Sequence, residues 1–152
     1  MKIVDMALSG GRTGFFFDDQ RAIKHCAAAD GSAYFGDPET PGFVAVRQPG
    51  ESVSVMLVME DGSVAYGDCA AVQYSGCGGR DPLFLAADYI PVIEKHVKPL
   101  LVGREADSFR ALASEVEAVR VRDHSLHTAV RYGVSQAVLD AVAHSKHRLM
   151  CE

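Results

Sequence analysis

One short stretch constrains the fold more than any other part of the sequence. Residues 52–59 read "SVSVMLVM", in which every second side chain is apolar. Such alternation is typical of a strand that is buried on one face. The pair Asp61 and Gly62 favours a tight turn, and "VAYGDCA" then returns as a second strand. This segment therefore predicts an antiparallel β-hairpin with one apolar face, made by Val53, Val55, Leu57 and Met59.

The rest of the first half predicts weaker strands around a long loop. The strand candidates are "KIVDMAL", "GFFFDD" and "GFVAVRQ". Between the last two lies "AAADGSAYFGDPETPG", which is rich in glycine, proline and acidic residues and is interpreted as a loop. Long loops in compact domains often serve as lids or binding segments. The first half is thus expected to be a β-meander with one long excursion.

The second half predicts helices. Apolar residues recur at helical spacing in "LHTAVRYGVSQAVLDAVAH", and most of them are small, so another element is expected to approach this helix closely. A shorter helix is predicted in "DSFRALASEVEAV". Asp81 followed by Pro82 is typical of a helix start, and Pro91 is expected to kink or split that helix before "LLVG" ends it.

Strands followed by helices predict an α+β fold: an antiparallel β-meander, residues 1–75, and then a helical bundle, residues 81–150.

The N-terminus carries Asp5 where a signal peptide would need apolar residues, so a secretory signal is not expected. No apolar run approaches the roughly 18 residues of a membrane helix. These features predict a cytoplasmic protein without a membrane partner.

Charge and cysteine usage narrow the function classes. The formal net charge of -5 argues against a nucleic-acid partner, which requires a basic face. The four cysteines, Cys26, Cys69, Cys77 and Cys151, form no C-x-x-C pair and are interpreted as reduced, buried or incidental thiols.

Two sets of polar side chains have a spacing that deserves testing. His124 and His127, like His144 and His147, are three residues apart and can share a helical face. Zinc needs further ligands that the sequence does not supply nearby, so solvated surface histidines are the favoured interpretation and no metal site is predicted.

The adjacent carboxylates Asp18 and Asp19 form the second set. Neighbouring residues on a strand point to opposite faces, so a shared acid–base site is not favoured. Salt bridges with Arg21 or Lys24 are the preferred interpretation.

Residues 73–82, "QYSGCGGRDP", form an unusual connection between a predicted strand and a predicted helix. The run lacks the G-K-[ST] ending of a P-loop, and no partner base for Cys77 is visible. Gln73 is the main binding candidate, because an amide both donates and accepts hydrogen bonds and here precedes a glycine run. An ordinary loop amide is the alternative from local sequence alone.

Three long stretches carry a resemblance to a known family. They are "GFFFDDQRAI", "VRQPGESVSVMLVMEDGSVAYGDCAAVQYSGCGGRDPLFLAADYIPVIEK" and "LHTAVRYGVSQAVLDAVA". The chain resembles the N-terminal capping domain of the methylaspartate ammonia-lyases, which belong to the enolase superfamily. The run "GDCAAVQYSG-x-GGRDP" is the most specific part of this resemblance, and Cys77 occupies its variable position.

The resemblance implies a function for the complete enzyme. Members of this family eliminate ammonia from L-threo-3-methylaspartate to give mesaconate in glutamate fermentation, require Mg²⁺, are activated by K⁺ and usually form homodimers. Their capping domain closes over a (β/α)₈ barrel that carries the catalytic base and the metal ligands. The glutamine of "AAVQYSG" contacts the substrate, which assigns that role to Gln73 and no catalytic or metal-binding role to this chain.

A barrel needs on the order of 250 residues, so it is expected to be absent from this chain, which is interpreted as a truncated or split enzyme that is inactive alone. Two alternatives remain open. One is a non-catalytic binding or regulatory module that retains the capping fold, and the other is the cap of a different enolase-superfamily enzyme.

Overall fold

The computed structural model describes residues 1–25, 27–71, 74–75 and 81–152, with backbone only at 74–75. The strands of these residues are β1 (Ile3–Asp19), β2 (Ala28–Asp30), β3 (Ala33–Phe35), β4 (Arg47–Met59), β5 (Val64–Ala70), β6 (Tyr74–Ser75), β7 (Arg120–Val121) and β8 (His124–Ser125). The helices are α1 (Gln20–His25), α2 (Ala86–His96), α3 (Lys98–Leu101), α4 (Phe109–Glu117) and α5 (Thr128–Ser145).

The main sheet has the strand order β5-β4-β1-β6. β4 pairs antiparallel with both β5 and β1, whereas the short β6 pairs parallel with the end of β1. The predicted hairpin is confirmed: Gly62 adopts a positive φ of 84° in its turn. The alternating apolar side chains of β4 face the core and are at most 1% exposed; they are Val53, Val55, Leu57 and Met59.

Residues 42–48 differ from the predicted strand. β4 begins only at Arg47, because Gly42 has a positive φ of 93° and the preceding backbone finds other partners. The Val44 N–H donates to the Gln48 side chain at 2.9 Å, and the Val46 carbonyl accepts from Asp19 N–H at 2.7 Å. The predicted long loop also contains structure, since β2 and β3 form a small antiparallel hairpin within it.

Helix α5 lies across β5 and β4, and its buried residues follow the predicted helical spacing. They include Ala129, Val130, Gly133, Val134, Ala137, Val138, Ala141 and Val142. Their small size lets the helix approach the sheet closely, as expected. The core between the sheet and the helices is completed by large, fully buried side chains: Phe17, Phe84, Ile93, Leu101 and Leu112.

The helix predicted to start at Asp81 and Pro82 instead starts at Ala86. Residues 81–85 lie outside any helix, and the first helical N–H, that of Ala86, donates to Glu51 Oε2 at 2.7 Å. Pro91 lies inside α2, which continues to His96, so the predicted split at Pro91 is wrong. Pro91 is the sixth residue of α2, and its missing N–H removes one intrahelical hydrogen bond.

The predicted stop in "LLVG" is confirmed, since α3 ends at Leu101 and Gly103 has a φ of 87°. Within the described part of the chain, none of the helices combines the length and apolar character needed to span a membrane.

Candidate functional site

Asp19 ends β1 as a fully buried carboxylate that holds three segments together. Its Oδ1 accepts from the N–H groups of Arg21 and Ala22 at 3.1 and 3.3 Å and from the Thr40 hydroxyl at 2.7 Å. Its Oδ2 accepts from the N–H groups of Glu39 and Thr40 at 2.7 and 2.8 Å. Burial alone would raise the pKa of this carboxyl, but these donors outweigh it and lower the pKa to about 2.

The neighbouring Asp18 forms a two-point salt bridge with Arg47 across β1 and β4. Arg47 Nε lies 2.6 Å from Oδ1, and Nη2 lies 2.8 Å from Oδ2. The same guanidinium stacks over the Tyr34 ring at 4.9 Å and donates through Nη1 to the Ser32 carbonyl. Arg47 therefore joins the end of β1 to the β2–β3 hairpin. A paired, forked contact of this kind fixes geometry better than a single charge contact does.

The backbone of Tyr74 and Ser75 pairs with Asp18 and Asp19 as strand β6. Gln73, the predicted substrate-binding residue, directly precedes this strand in the sequence and lies outside the described residues, as does Cys77. The structure thus brings the described neighbours of Gln73 to the edge of the sheet, beside the two carboxylates that organise the end of β1.

On the other side of the glycine run, residues 81–82 are attached to the N-terminus of α5. Asp81 Oδ2 accepts from Thr128 N–H at 2.8 Å. His127 is the N-cap of this helix, and its Nδ1 accepts from Ala129 N–H at 3.0 Å. Its Nε2 lies 3.0 Å from the Pro82 carbonyl oxygen. Because that oxygen is only an acceptor, the ring must carry its proton on Nε2.

The His127 ring is packed between aromatic neighbours, with 3% of its side chain exposed. Its centroid lies 5.1 Å from that of Phe84 and 4.9 Å from that of Tyr89, and these two rings stack at 4.8 Å. This burial lowers the pKa of His127, against the opposing effects of the Pro82 carbonyl and Asp81. It also raises the pKa of Tyr89 to about 12. His127 is therefore neutral at pH 7 and bonded through both nitrogens.

The histidines only partly match the prediction of solvated surface residues. His124 and His147 are exposed, but the prediction of a solvated surface residue is wrong for His127, which is a buried helix cap. The fourth histidine, His144, lies on α5 with its Nε2 3.6 Å from Asp140 Oδ1. Among the residues that the structure describes, no group of three or more His, Cys, Asp or Glu side chains is arranged to hold a metal ion.

The predicted salt bridges of Asp18 and Asp19 with Arg21 or Lys24 are also wrong. Arg21 instead lies 3.3 Å from Glu39, and Asp18 pairs with Arg47. Asp19 accepts from the first N–H groups of α1 because it caps that helix, and also from Glu39 and Thr40 N–H on a second segment. An aspartate directly before "QRAIKH" is an ordinary helix-start signal that identifies this role from sequence. No comparable signal identifies Arg47 or His127, whose partners are distant in sequence.

Comparison with known proteins gives a family match over the whole chain. The family model described as methylaspartate ammonia-lyase N-terminus matches residues 1–152. The methylaspartate ammonia-lyase of Clostridium tetanomorphum is 60% identical over 152 residues, which are 100% of this chain and 37% of that protein. This chain therefore spans little more than a third of the length of such relatives.

Solved structures of these relatives share the fold. The beta-methylaspartase of Clostridium tetanomorphum, described as a Mg complex, is similar with a TM-score of 0.93 and 60% identity, over 99% of this chain and 36% of that one. The Q73A mutant from the same organism has a TM-score of 0.93, 59% identity and the same coverage of the two chains. The Citrobacter amalonaticus enzyme, containing (2S,3S)-3-methylaspartic acid, has a TM-score of 0.92 and 57% identity, with coverage of 99% and 36%.

A more distant structure supports the fold alone. A mandelate racemase/muconate lactonizing enzyme homologue from Sorangium cellulosum has a TM-score of 0.55 at 15% identity, over 93% of this chain and 31% of that one. The predicted α+β architecture is therefore also found in part of that protein.

Proposed function

This chain belongs to the methylaspartate ammonia-lyase family, and we propose that it is the capping portion of an enzyme that eliminates ammonia from L-threo-3-methylaspartate to give mesaconate. The single observation that carries this proposal is the family match across residues 1–152. The fold agrees with it, because the Citrobacter amalonaticus structure that contains (2S,3S)-3-methylaspartic acid superposes with a TM-score of 0.92.

Within this proposal, Gln73 contacts the amino group of the substrate. Its side-chain oxygen accepts from the ammonium, while a base outside this chain removes the proton from the neighbouring carbon. The backbone pairing of Tyr74 with Asp18, which holds the residue directly after Gln73 at the sheet edge, supports this assignment. A Clostridium tetanomorphum methylaspartate ammonia-lyase of the same fold has been solved as its Q73A mutant.

The complete enzyme is proposed to use Mg²⁺, to be activated by K⁺, and to act as a cytoplasmic homodimer in glutamate fermentation. The described residues of this chain do not fit a Mg²⁺ site, because none of their acidic and histidine side chains cluster as ligands. The proposal places the metal ligands and the base in the barrel and assigns no catalytic step to the residues described here.

The test compares the 152-residue chain alone with the chain extended by a barrel portion of the kind its relatives have. Each protein is incubated with L-threo-3-methylaspartate, Mg²⁺ and K⁺, and mesaconate is followed by its ultraviolet absorbance. The extended protein is expected to form mesaconate and the chain alone to form none. Failure of the extended, folded protein to form mesaconate would contradict the proposed substrate, and product from the 152-residue chain would contradict the capping role.

A further inference from the structure

We propose that His127 is a positioning residue whose ring fixes Asp81 and Pro82 on the N-terminus of α5. Through this attachment it fixes the described residues that follow, in sequence, the stretch containing Gln73. The inference rests on the proposed function of Gln73, but the attachment itself can be tested without it. The proposal assigns His127 no contact with the substrate or a reacting atom.

The first step is that His127 makes two different bonds through its two nitrogens. Nδ1 accepts from Ala129 N–H at 3.0 Å, which is the helix cap. Nε2 donates to the Pro82 carbonyl at 3.0 Å. This second bond, the tie, links the start of α5 to a segment 45 residues earlier in the sequence. A cap needs only the first bond. The second bond makes His127 more than a cap, because it joins α5 to the residue that follows Asp81.

The second step is that Asp81 depends on the same tie. Its carboxylate accepts from Thr128 N–H at 2.8 Å, next to the helix cap in sequence. The backbone that carries this carboxylate continues directly into Pro82, whose carbonyl is held by His127. Releasing Pro82 should therefore also loosen the contact between Asp81 and Thr128, although that contact does not involve the imidazole.

The third step is that the helix cap requires the neutral ring, whereas the bond to Pro82 forms in either charge state because Nε2 carries a proton in both. A proton on Nδ1 would place a donor against the Ala129 N–H and break the cap. The titratable and charged groups facing the ring are Asp81 at 3.9 Å, Tyr89 in ring contact from α2, and Arg131 on α5. Burial and Arg131 disfavour the imidazolium, whereas the Pro82 carbonyl and Asp81 favour it. The first two prevail, so the pKa of His127 is lowered.

Two conservative variants separate the two bonds. His127→Asn keeps an acceptor at the position of Nδ1 and so keeps the cap, but it is too short to reach Pro82. His127→Gln places an amide N–H near the position of Nε2 and so keeps the tie, but it removes the cap acceptor. Both variants lack the titrating imidazole. His124→Gln, on the exposed β8, is the matched control.

Amide hydrogen exchange of the 152-residue chain, followed by NMR at pH 7, reads the two bonds separately. In His127→Asn the Thr128 amide is expected to exchange roughly three- to tenfold faster while the Ala129 amide is unchanged, as expected for the loss of one hydrogen bond. In His127→Gln the pattern is expected to reverse. An unchanged Thr128 amide in His127→Asn, or equal acceleration of both amides in both variants, would overturn the proposed attachment.

The effect on Gln73 is read in the enzyme extended by its barrel portion. There, kcat/KM for 3-methylaspartate is expected to fall roughly three- to tenfold in His127→Asn and to be restored toward the wild-type value in His127→Gln. If the exchange pattern appears but His127→Asn keeps its kcat/KM, the positioning role is overturned. If the wild-type extended enzyme makes no mesaconate, the proposed function fails, and the exchange pattern still decides the attachment.

Discussion

Gly67 on β5 and Gly133 on α5 pack backbone to backbone. A Cβ atom on Gly67 would lie 2.0 Å from the Gly133 carbonyl oxygen, and one on Gly133 would lie 2.4 Å from the Cys69 nitrogen. These distances are far below any real contact of a Cβ atom, and the nearest atoms belong to backbone that cannot move independently. The contact lets α5 lie directly on the sheet, and it also buries Cys69, whose thiol pKa burial raises to about 12.

Gly133→Ala is expected to destabilise the fold, although alanine is the better helix former. In an open helix this change would stabilise by about 1 kcal/mol. Here the methyl group separates α5 from β5, and overpacking of this kind typically costs about 1–3 kcal/mol. Chemical denaturation of the two proteins measures the difference. Gly14→Ala is the control, because a Cβ there meets nothing within 4 Å. Equal or higher stability of Gly133→Ala would contradict the close approach.

The Asp19 carboxylate predicts a distinct loss of stability in acid. The pKa of Asp19 in the folded chain, about 2, lies below the ordinary value of 3.8. Its contribution to the free energy of unfolding is therefore complete above about pH 4 and is lost as the pH falls through 2. This shift corresponds to roughly 2 kcal/mol. Asp19→Asn is expected to lower the unfolding free energy at pH 7 by about 1.5–3 kcal/mol, because charged hydrogen bonds are lost.

The same variant should lose part of the acid dependence between pH 4 and 2, which unfolding curves across this range would show. Asp30→Asn, at an exposed position on β2, serves as the control and should retain the wild-type dependence. An acid profile of Asp19→Asn parallel to that of the wild type would show that the buried carboxylate is not held in its charged form.

His127 predicts a second pH range, above that of Asp19, in which the free energy of unfolding depends on pH. Its pKa is lowered on folding, so the unfolded chain binds the proton first and stability falls as the pH drops below about 6.5. His127→Gln is expected to show a flatter profile between pH 7.5 and 5 than either the wild type or His124→Gln. A constant difference in unfolding free energy between the wild type and His127→Gln over this range would contradict a buried, neutral imidazole.

The main elements were predictable from local patterns. The alternation in β4 and the small-residue stripe of α5 each reflect a single buried face, and a periodic pattern records that directly. The strand prediction is wrong for residues 42–46. Their apolar side chains, such as Phe43 and Val46, are buried although the backbone there is irregular. Apolar composition indicates burial but not backbone conformation. The conformation here depends on a bond to the Gln48 side chain and on a bond to the distant Asp19 backbone.

The candidate site could be predicted from the sequence only in part. The role of Gln73 rests on a family motif and not on spacing, and it stays a prediction because Gln73 lies outside the described residues. Asp81 was read as the cap of the helix that follows it, but it accepts from Thr128, 47 residues later. His127 was read as one of a surface pair, yet its environment is set by Phe84 and Tyr89 on other segments. Such roles depend on which segments meet in three dimensions, and no local pattern records that.

The central claim is that Gln73 contacts the amino group of 3-methylaspartate. If this bond is made in the transition state, its loss costs about 1.5–3 kcal/mol, or roughly ten- to more than hundredfold in kcat/KM. Truncation to alanine also opens space beside the amino group, so larger amines should be tolerated better in the reverse addition to mesaconate. Gln136→Ala removes the same kind of amide from α5, well away from Gln73 in sequence, and is the matched control.

The most direct test is steady-state kinetics of Gln73→Ala, Gln136→Ala and wild type in the enzyme extended by its barrel portion, with ammonia and with methylamine as the amine. We expect Gln73→Ala alone to lose at least tenfold in kcat/KM with ammonia and to shift its preference toward methylamine. If Gln73→Ala keeps both the wild-type kcat/KM and the wild-type amine preference, Gln73 is an ordinary loop residue and the proposed substrate contact is wrong.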